Sequence, residues 1–459
     1  MNARAWFYFG AHRLAGKKRG SVYAQYRRED AQGVSADTTR ILLKRLLAHC
    51  ARSVPYYAGL MAGQGEAYQS APEEYLAGFP ILTRGMLNRH FDQLKSGDLS
   101  RRRWRYEFSG GSTGEPVRVI QDQACWDSQA ALEDLGMYWA GREVGEPVVS
   151  LWGSERDLLG NVSLKMTALN RLANLTLLNA YHMTPERMRA YLNRLNTRRP
   201  KLIVAYAQAI YDLALFAEMF GVAVRPQAAI LTSASTLHPF MREKIEQVFG
   251  CRVFDRYGCR EVGSIACECP EHAGLHVFPW GNYVEIVDDE GRPVPPGTEG
   301  RILITSLTNY AMPLIRYQIG DRGSLAREGS CPCGRPGQIL ERISGRLTDD
   351  FTTRGGRIVP GIYFVHMLGV ALNTGAIKKF QVIQEDFDCL RLILVKRDPE
   401  ADVDLASIRA AFERVMGTDL RVEVDYVEDI PPSPSGKYRY TLSRVQLPAK
   451  PAGGRGGLA

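Results

Sequence analysis

The sequence lacks several features that would define its class at once. No run of apolar residues approaches the ~18–20 that a membrane-spanning helix needs, so no transmembrane segment is predicted. Residues 1–20 place aromatic residues before basic ones, without the basic, apolar and small-residue order of a secretory signal, which predicts a cytoplasmic protein. No internal repeat is visible, and the glycine-rich stretch 109–114 lacks the Gly-Lys-Ser/Thr ending of a P-loop. A membrane-spanning protein, a repeat protein and a P-loop nucleotidase are therefore not predicted.

The excess of positive charge is also small. Lysine and arginine number 58 against 50 acidic residues, which leaves a net charge of +8 over 459 residues. That balance suits an enzyme that handles anions such as ATP, coenzyme A and carboxylates, and it equally permits contact with nucleic acid or a membrane surface. The densest basic cluster, residues 101–105, is interpreted as a solvated face, with attraction of phosphate as the alternative. We predict an enzyme that acts on small molecules and has no nucleic-acid partner. A homodimer is expected only because most soluble oligomers are dimers.

The hydrophobic pattern predicts an α/β protein of more than one domain. A chain of 459 residues is too long for a single core. Between residues 117 and 257 apolar strands alternate with helical segments, which predicts parallel sheets covered by helices, and residues 275–325 predict a β-meander subdomain. The character changes after residue 345, where a small α+β domain begins. The predicted divisions are residues 1–345, residues 346–447 and a disordered Pro/Gly/Ala-rich tail, 448–459.

The stretch 108–116, Phe-Ser-Gly-Gly-Ser-Thr-Gly-Glu-Pro, is the most informative local feature. Three glycines and three hydroxyls fall within the six residues 109–114. Glycine lets the backbone approach a ligand closely, and successive N–H groups with short hydroxyls suit phosphate oxygens. A plain surface loop has a similar composition, so this stretch alone does not decide the function. The residues predicted to bind ATP here are Ser109, Gly110, Gly111, Ser112, Thr113 and Gly114.

Four later segments extend the pattern. They are residues 257–261 (Tyr-Gly-Cys-Arg-Glu), 310–321 (ending in Gly-Asp), 345–350 (Gly-Arg-Leu-Thr-Asp-Asp) and 434–439 (Pro-Ser-Gly-Lys-Tyr-Arg). Taken singly, each fits a turn or a solvated surface. In this order and at these intervals, the five segments resemble the adenylate-forming superfamily of acyl-CoA ligases. The detail is most similar to its phenylacetate–CoA ligase branch and, within it, to the coenzyme F390 synthetase-like and CapK-like members. The resemblance covers residues from about 40 to 445.

This resemblance implies a large adenylate-forming N-terminal domain, a small mobile C-terminal domain and an AMP-forming ligase. A carboxylate would attack the α-phosphate of ATP to give an acyl-adenylate and pyrophosphate, so catalysis would depend on positioning and cationic stabilisation. Ser109, Ser112 and Thr113 would hold the β- and γ-phosphates. The other implied roles are Tyr257 and Gly258 against adenine, Glu261 on Mg²⁺, Asp321 on the ribose hydroxyls, Arg346 near ribose and phosphate, and Lys437 on the α-phosphate and carboxylate.

The resemblance also implies a hinge after residues 345–346, at which the small domain would turn between two poses. Asp349 or Asp350 is the expected pivot. Two residues, rather than the usual one, separate Arg346 from these acids, so the choice between them stays open.

Aromatic and small side chains are predicted to form the acyl pocket and suggest an aryl or modest acyl acid. His182 is either a group of this pocket or an ordinary buried histidine. Ser235 stands where many relatives carry a glutamate, and contact of the nearby backbone with adenine is a loose expectation. The predicted pocket residues are Trp152, Tyr181, His182, Tyr206, Ser233 and Ala234.

Nine cysteines are present, and four of them form two close pairs, which in a cytosolic chain favours a metal over disulfides. Zinc takes four thiolate or imidazole ligands, and similar cysteines in coenzyme F390 synthetase-like relatives suggest a structural metal. The alternative is free thiols near a turn. The predicted ligands are Cys269, His272, Cys331 and Cys333, with Cys267 as the substitute, and His276 is assigned to a strand.

Three functions remain open from the sequence. The first is a carboxylate–CoA ligase, with an amine or a hydroxyl as other acceptors for amide or ester formation in polysaccharide or secondary-metabolite pathways. The second is an adenylyltransferase that places AMP on a hydroxyl. The third is a zinc-stabilised basic binding protein without catalysis. Four residues argue against it, namely Glu261, Asp321, Arg346 and Lys437. The predicted cofactors are ATP, Mg²⁺, a structural Zn²⁺ and coenzyme A as acceptor.

Overall fold

In this computed structural model the chain is described over residues 2–33, 37–108, 117–152, 164–180, 183–327, 331–346, 351–355, 358–359, 361–368, 376–431 and 439–445. Contacts divide it into two compact units. The first contains Met1–Gly345, and the second contains Arg346–Pro431 and the residues from Arg439 onward. Within the described residues, no helix combines the length and the apolar character needed to cross a bilayer.

The first 90 residues of the first unit form helices. Leu43, Leu46, Leu47 and Cys50 follow helical spacing and are buried, so the helix that carries them docks one face on the core. Pro55 starts the next helix at a position where its missing N–H costs nothing. The helices are α1 (Ala3–Leu14), α2 (Arg19–Gln32), α3 (Asp37–Ser53), α4 (Pro55–Met61), α5 (Pro72–Ala77) and α6 (Arg84–Arg89).

A two-stranded hairpin separates these helices from the main sheet. Strands β1 (Trp104–Phe108) and β2 (Arg118–Asp122) pair antiparallel, and Phe108 faces Arg118 across the pair. The glycine-rich stretch therefore connects two paired strands. Asp122 then begins the long helix α7 (Gln123–Trp139), where its carboxylate accepts a hydrogen bond from the Cys125 N–H at 2.9 Å.

The main sheet is mixed and has eleven strands within the described residues. Its parallel part runs in the spatial order β7-β6-β5-β3-β4, and an antiparallel part continues from β7 through β8, β9, β13, β12 and β11 to β10. The strands are β3 (Val148–Trp152), β4 (Leu175–Asn179), β5 (Leu202–Tyr206), β6 (Ile230–Ser233), β7 (Val253–Cys259), β8 (Gly263–Glu268), β9 (Leu275–Val277), β10 (Asn282–Val287), β11 (Gly300–Ser306), β12 (Tyr317–Leu325) and β13 (Ile339–Arg346).

Strand β5 shows why the parallel part is buried on both faces. All five of its residues are buried. Leu202 and Val204 enter the core under α7, whereas Ile203 and Ala205 enter the opposite core, as the alternation of a strand requires. The helices on that opposite side are α9 (Pro185–Arg198), α10 (Ala207–Met219) and α11 (Pro239–Phe249), while α8 (Leu164–Leu172) precedes β4.

The second unit is a small α+β fold. Four strands pair in the order β18-β17-β16-β19, and the helix between β17 and β18 makes the crossover that a parallel pair needs. Phe364 and Phe412 are fully buried and pack edge to face at 4.9 Å. The elements are β14 (Phe351–Thr352), β15 (Ile358–Val359), α12 (Gly361–His366), β16 (Ile377–Asp386), β17 (Cys389–Lys396), α13 (Leu405–Met416), β18 (Arg421–Tyr426) and β19 (Thr441–Ser443).

The predicted α/β class is confirmed, with two differences from the expected arrangement. The expected meander exists as β10–β11–β12, but it belongs to the same sheet as the parallel strands. The sequence analysis does not predict the hairpin of α1 and α2, in which Tyr23 and Tyr26 of α2 pack in the core under α7 and polar contacts add to the docking. Arg19 of α2, for example, donates two 2.7 Å hydrogen bonds to Asp134 of α7.

Candidate active site and metal site

The turn after the parallel part of the sheet brings two of the sequence motifs together. Tyr257 lies near the end of β7, and its hydroxyl donates a 2.6 Å hydrogen bond to Oδ2 of Asp321 on β12, 64 residues later. Four pairing steps separate β7 from β12 in the sheet order. At about 4.8 Å for each step, β7 and β12 would be farther apart in a flat sheet than the two side chains can reach. The sheet therefore curves back on itself. The hydrogen bond is short because the acceptor is a carboxylate.

Gly258, beside Tyr257, occupies a position that no larger residue fits. The pairing of β7 with β8 shifts register between Tyr257 and Gly258, and a Cβ at Gly258 would lie 2.5 Å from the carbonyl oxygen of Gly263. Such a bulge re-aims the neighbouring side chain. The glycine therefore allows the turn that directs Tyr257 towards Asp321.

Glu261 lies in the same turn and is 5 % exposed. The hydroxyl of Tyr317, on β12, donates to Glu261 Oε1 at 3.4 Å, and the Arg84 guanidinium lies 3.8 Å from the same oxygen. Burial, followed by the charge of Glu261, raises the pKa of Tyr317, so its proton stays available for this bond. Strand β12 thus supplies the partners of both Tyr257 and Glu261.

Gln121, on β2, holds the backbone of this turn. Its side-chain nitrogen donates to the carbonyl oxygens of Arg260 and Glu261, each at 3.1 Å, and its oxygen accepts a hydrogen bond from the Trp126 indole. The strand that follows the glycine-rich stretch is therefore bound to the turn that carries Glu261. An oxygen-ligand cation such as Mg²⁺ suits a buried carboxylate in this setting.

The loop after β6 approaches the same edge of the sheet. Ala234 has a φ of 73°, in the left-handed region that non-glycine residues seldom adopt. The Ser233 hydroxyl donates to the Arg256 carbonyl at 3.0 Å, which fixes the loop beside Tyr257. Strained backbone of this kind is concentrated at ligand sites.

Two of the predicted acyl-pocket residues lie together. Trp152 ends β3 and Tyr206 ends the adjacent β5, and their ring centroids are 4.2 Å apart. Both therefore stand at the carboxyl ends of parallel strands, where open α/β sheets bind ligands. Their role in binding an acyl group stays a prediction.

Several predicted site residues lie outside the described residues. They are Ser109, Gly110, Gly111, Ser112, Thr113, Gly114, Tyr181, His182, Asp349, Asp350 and Lys437, while Arg346 is described only as the last backbone position of β13. Their roles stay predictions.

A second site contains three thiols and one imidazole. The ligand atoms of Cys269, His276, Cys331 and Cys333 all lie within 4.8 Å of one another. Cys269 Sγ is 3.5 Å from Cys331 Sγ, and Cys333 Sγ is 3.4 Å from His276 Nε2. Tetrahedral zinc with ordinary bond lengths requires S···S of about 3.8 Å and S···N of about 3.6 Å. The cluster therefore has nearly the dimensions of a zinc site.

The protonation preferences of the cluster fit a metal. Burial, followed by Arg335, lowers the pKa of His276 to about 4, which leaves the imidazole neutral as a ligand must be. Burial raises the pKa of Cys269 to about 12, so its thiolate needs a cation beside it. Burial also opposes ionisation of Cys333, but the hydrogen bond from the Arg335 N–H and the neighbouring thiols outweigh it and lower the pKa of Cys333.

The structure corrects two of the predicted metal ligands. Cys267 is fully buried beside α7, with Sγ 3.9 Å from the Gly136 carbonyl oxygen. His272 has a φ of 52°, and its ring is turned to Glu268, with Nδ1 3.0 Å from the carboxylate. His276 takes the place given to His272. The sequence predicts His276 in a strand, and it lies in strand β9. This strand pairs with β8, which Cys269 follows, and with β13, which Cys331 and Cys333 precede.

The cysteine–histidine cluster also has a polar support that sequence reasoning missed. Arg335 donates to Asp30 of α2 at 2.9 Å, and the indole of Trp139, on α7, donates to the same carboxylate at 3.0 Å. The Arg335 guanidinium also lies 4.7 Å from the centre of the Trp139 ring. The cysteine loop is thereby tied to two helices, and no local sequence signal connects residues 305 apart.

Comparison with known proteins gives two family matches. Residues 165–311 match the model of AMP-binding enzymes, and residues 351–444 match the model of the CapK C-terminal domain. Protein CapK of Staphylococcus aureus is 23% identical over 340 residues, 74% of each chain. Phenylacetate-coenzyme A ligase of Aromatoleum evansii is 26% identical over 348 residues, 72% of this chain and 76% of that protein.

Solved structures give the same picture for the fold. 2-Hydroxyisobutyryl-CoA ligase in complex with R3-HIB-AMP matches with a TM-score of 0.70 and 18% identity, over 91% of this chain and 92% of the other. At this identity the likeness concerns the fold. It matches the large sheet with its helices and the presence of a C-terminal domain.

Proposed function

We propose that this chain, which belongs to the adenylate-forming enzymes and is a ligase of that superfamily, acts on a carboxylic acid. The proposed reaction joins a small or aromatic carboxylic acid to coenzyme A through an acyl-adenylate. The observation that carries the proposal is that Tyr257 and Glu261 both take partners from β12, where the 2.6 Å hydrogen bond from Tyr257 to Asp321 joins two separate motifs. The match to the phenylacetate-coenzyme A ligase of Aromatoleum evansii over 72% of the chain supports the acid and the acceptor.

In the first step, a carboxylate oxygen of the acid forms a bond to the α-phosphorus of ATP, and the bond from that phosphorus to the bridging oxygen breaks. Pyrophosphate leaves with the electron pair. Tyr257 is proposed to lie against adenine, and Asp321 to accept hydrogen bonds from the ribose hydroxyls. Trp152 and Tyr206 are proposed to line the acyl pocket, from which water is excluded.

The developing negative charge needs cations. Glu261 would hold Mg²⁺, which neutralises phosphate oxygens when bound. Lys437 is proposed to bring its ammonium to the α-phosphate and carboxylate, and residues 109–114 to hold the β- and γ-phosphates through backbone N–H groups and hydroxyls. In the second step the thiol of coenzyme A loses its proton to solvent, its sulfur forms a bond to the acyl carbon, and the bond from that carbon to the phosphate oxygen breaks, so AMP leaves. Arg346 and a pivot at Asp349 or Asp350 are proposed to serve the exchange between the two steps.

We also propose that the cluster of Cys269, His276, Cys331 and Cys333 holds a structural Zn²⁺. All nine cysteines are free, and thiolate ligands of this kind suit a reducing compartment, which supports the proposed cytoplasmic location.

Acid-dependent ATP–pyrophosphate exchange tests the function. A panel of aryl, short-chain and hydroxy acids is incubated with ATP and labelled pyrophosphate. Product formation from each acid that supports exchange is then measured with coenzyme A, with hydroxylamine or without an acceptor. Exchange with one class of acid, followed by thioester only with coenzyme A, is the expected result. AMP incorporation into a hydroxyl compound without acid-dependent exchange would overturn the proposal in favour of an adenylyltransferase.

The Asp321→Ala variant is expected to raise the KM for ATP about 10- to 100-fold, the scale of a lost hydrogen bond to a charged group. Tyr257→Phe, which keeps the ring but removes the donor to Asp321, is expected to raise KM by less than about tenfold. Initial rates against ATP concentration measure both. An unchanged KM in Asp321→Ala would contradict the ribose-binding role.

Replacing Glu261 by glutamine is expected to lower pyrophosphate exchange about 10- to 100-fold and to raise the magnesium concentration required for half-maximal rate. The isosteric amide keeps the volume but removes the charge that would hold the ion. Rates are measured across a magnesium titration. Glu299→Gln, a surface acid in an exposed ion pair with Arg322, is the matched control. If the rate falls but the magnesium dependence does not shift, Glu261 acts through the packing of Arg84 and Tyr317 instead.

A further inference from the structure

The outer face of helix α1 exposes large apolar side chains. Trp6 is 65 % exposed, Phe7 57 % and Leu14 93 %. These residues lie on one side of the helix with Gly10, because positions i, i+1, i+4 and i+8 fall within about 100° of arc. Together they present on the order of 300–400 Å² of apolar surface, the size of the largest apolar patch on a typical soluble monomer, which is often functional.

The packing of the inner face of α1 fixes which side chains of this helix are exposed. The inner face of α1 is already filled by Ala5, Tyr8, Phe9 and His12, all of them buried. Asn2 caps the helix by accepting from the Ala5 N–H at 2.9 Å, and its amide donates to the Val144 carbonyl at 3.0 Å. Arg19 donates to the Tyr8 hydroxyl at 2.7 Å. Since the helix cannot rotate without breaking these contacts, Trp6 and Phe7 stay on the outside.

The rim of this face is basic. Arg13 and Lys18 are exposed, Lys17 is partly so, and the Arg103 guanidinium lies against Gly16 at the turn between α1 and α2. The acids of α2 face inward, where Glu29 accepts from the Trp280 indole and Asp30 from Arg335. Asp134 on α7 is neutralised by Arg19. The charged residues of α1 and of the turn that follows it are therefore all basic, and the nearby Asp127 of α7, which accepts from the Lys18 N–H at 2.8 Å, is buried.

We propose that this face of α1 binds an anionic lipid surface. Trp6, Phe7 and Leu14 enter the interfacial region, and the surrounding cations meet the phosphate groups. An apolar helix face with tryptophan and a basic rim suits the surface of an anionic bilayer, where apolar acyl chains lie beneath negatively charged headgroups. The helix lies in the plane of the surface, as its 12 residues are too few to span a bilayer.

A second copy of the chain is the less suitable occupant. In a symmetric dimer the same patch meets itself, so two patches with basic rims would face each other. Like charges brought into contact cost free energy, whereas a phosphate-rich surface satisfies the apolar residues and the cations at once. The proposal does not depend on the ligase chemistry.

Vesicle co-sedimentation tests the proposal with the full chain carrying any tag at its C-terminus. Vesicles of phosphatidylcholine with 30 mol% phosphatidylglycerol are compared with pure phosphatidylcholine vesicles at low and high salt. Binding to the anionic vesicles that weakens as salt rises is expected. The W6S/F7S variant is expected to have a partition coefficient at least tenfold lower than the parent chain. The R13Q/K17Q variant is expected to lower it about 25-fold, because each cation contributes about fivefold.

Phe220→Ser is the matched control, because Phe220 is 50 % exposed at the end of a different helix. It is expected to bind vesicles like the parent chain, and all variants are expected to melt at the parent temperature since the replaced side chains are exposed. Equal binding to neutral and anionic vesicles, or unchanged binding of W6S/F7S, would overturn the proposal. A dimer in sedimentation velocity that W6S/F7S dissociates, without vesicle binding, would assign the face to self-association.

Discussion

Replacing Lys437 by alanine is expected to lower acid-dependent ATP–pyrophosphate exchange on the order of 10²–10³-fold, the usual loss when one group that stabilises transition-state charge is removed. The second half-reaction, followed as thioester formation from a synthetic acyl-adenylate and coenzyme A, is expected to stay within about twofold of the parent rate. The split arises because the ammonium is needed where charge builds on the phosphoryl oxygens, and the thioester step forms no bond to phosphorus.

Lys378→Ala is the matched control for this experiment. Lys378 is exposed on β16, so its replacement removes one positive charge from the chain, as the replacement of Lys437 does. It is expected to leave both half-reactions unchanged. Exchange at the parent rate in Lys437→Ala would contradict the role given to this lysine, and an equal loss in both half-reactions would point to a general effect on folding.

Removal of the metal ligands is expected to have the largest effect on stability. The C331S/C333S variant should purify without zinc and should melt about 5–10 °C lower than the parent, because several kcal/mol of metal binding is lost from a large unit. The parent chain should retain about one zinc per chain after dialysis. Metal content by inductively coupled plasma mass spectrometry and thermal melting are the two measurements.

Three further variants separate the proposed ligand set from the set predicted from the sequence. His276→Ala is expected to lose zinc, whereas Cys267→Ala and His272→Gln are expected to keep it, since both side chains point away from the cluster. Cys267→Ala still costs some stability because it empties space beside α7. Zinc lost from His272→Gln but kept in His276→Ala would contradict the assignment.

Part of this architecture could be predicted from sequence for identifiable reasons. Strand β5 is a run of apolar residues between helical segments, which indicates a buried parallel strand without any knowledge of neighbours. The order of the motifs likewise selected Tyr257, Glu261 and Asp321, although their spacing gave no hint that Tyr257 donates to Asp321.

The parts that could not be predicted depend on long-range pairing. Which histidine joins the cysteines is decided by the pairing of β9 with β8 and β13, and this pairing has no local signature. Arg84 and Tyr317 reach Glu261 from separate elements in the same way. The hairpin of α1 and α2 is also not predicted by the hydrophobic pattern, because its docking combines a few aromatic residues, such as Tyr23 and Tyr26, with the ion pair of Arg19 and Asp134.

The contact of Asp30 with Arg335 has a consequence for synthesis on the ribosome. The two residues are 305 positions apart, and other N-terminal contacts, such as Thr39 with Pro279 and Tyr57 with Pro313, also span more than half the chain. At about 5–20 residues per second, the emerging helices wait roughly 15–60 s for these partners. Through that interval their apolar faces stay uncovered, and nascent chains are expected to depend on holdase chaperones until residue 335 has left the exit tunnel.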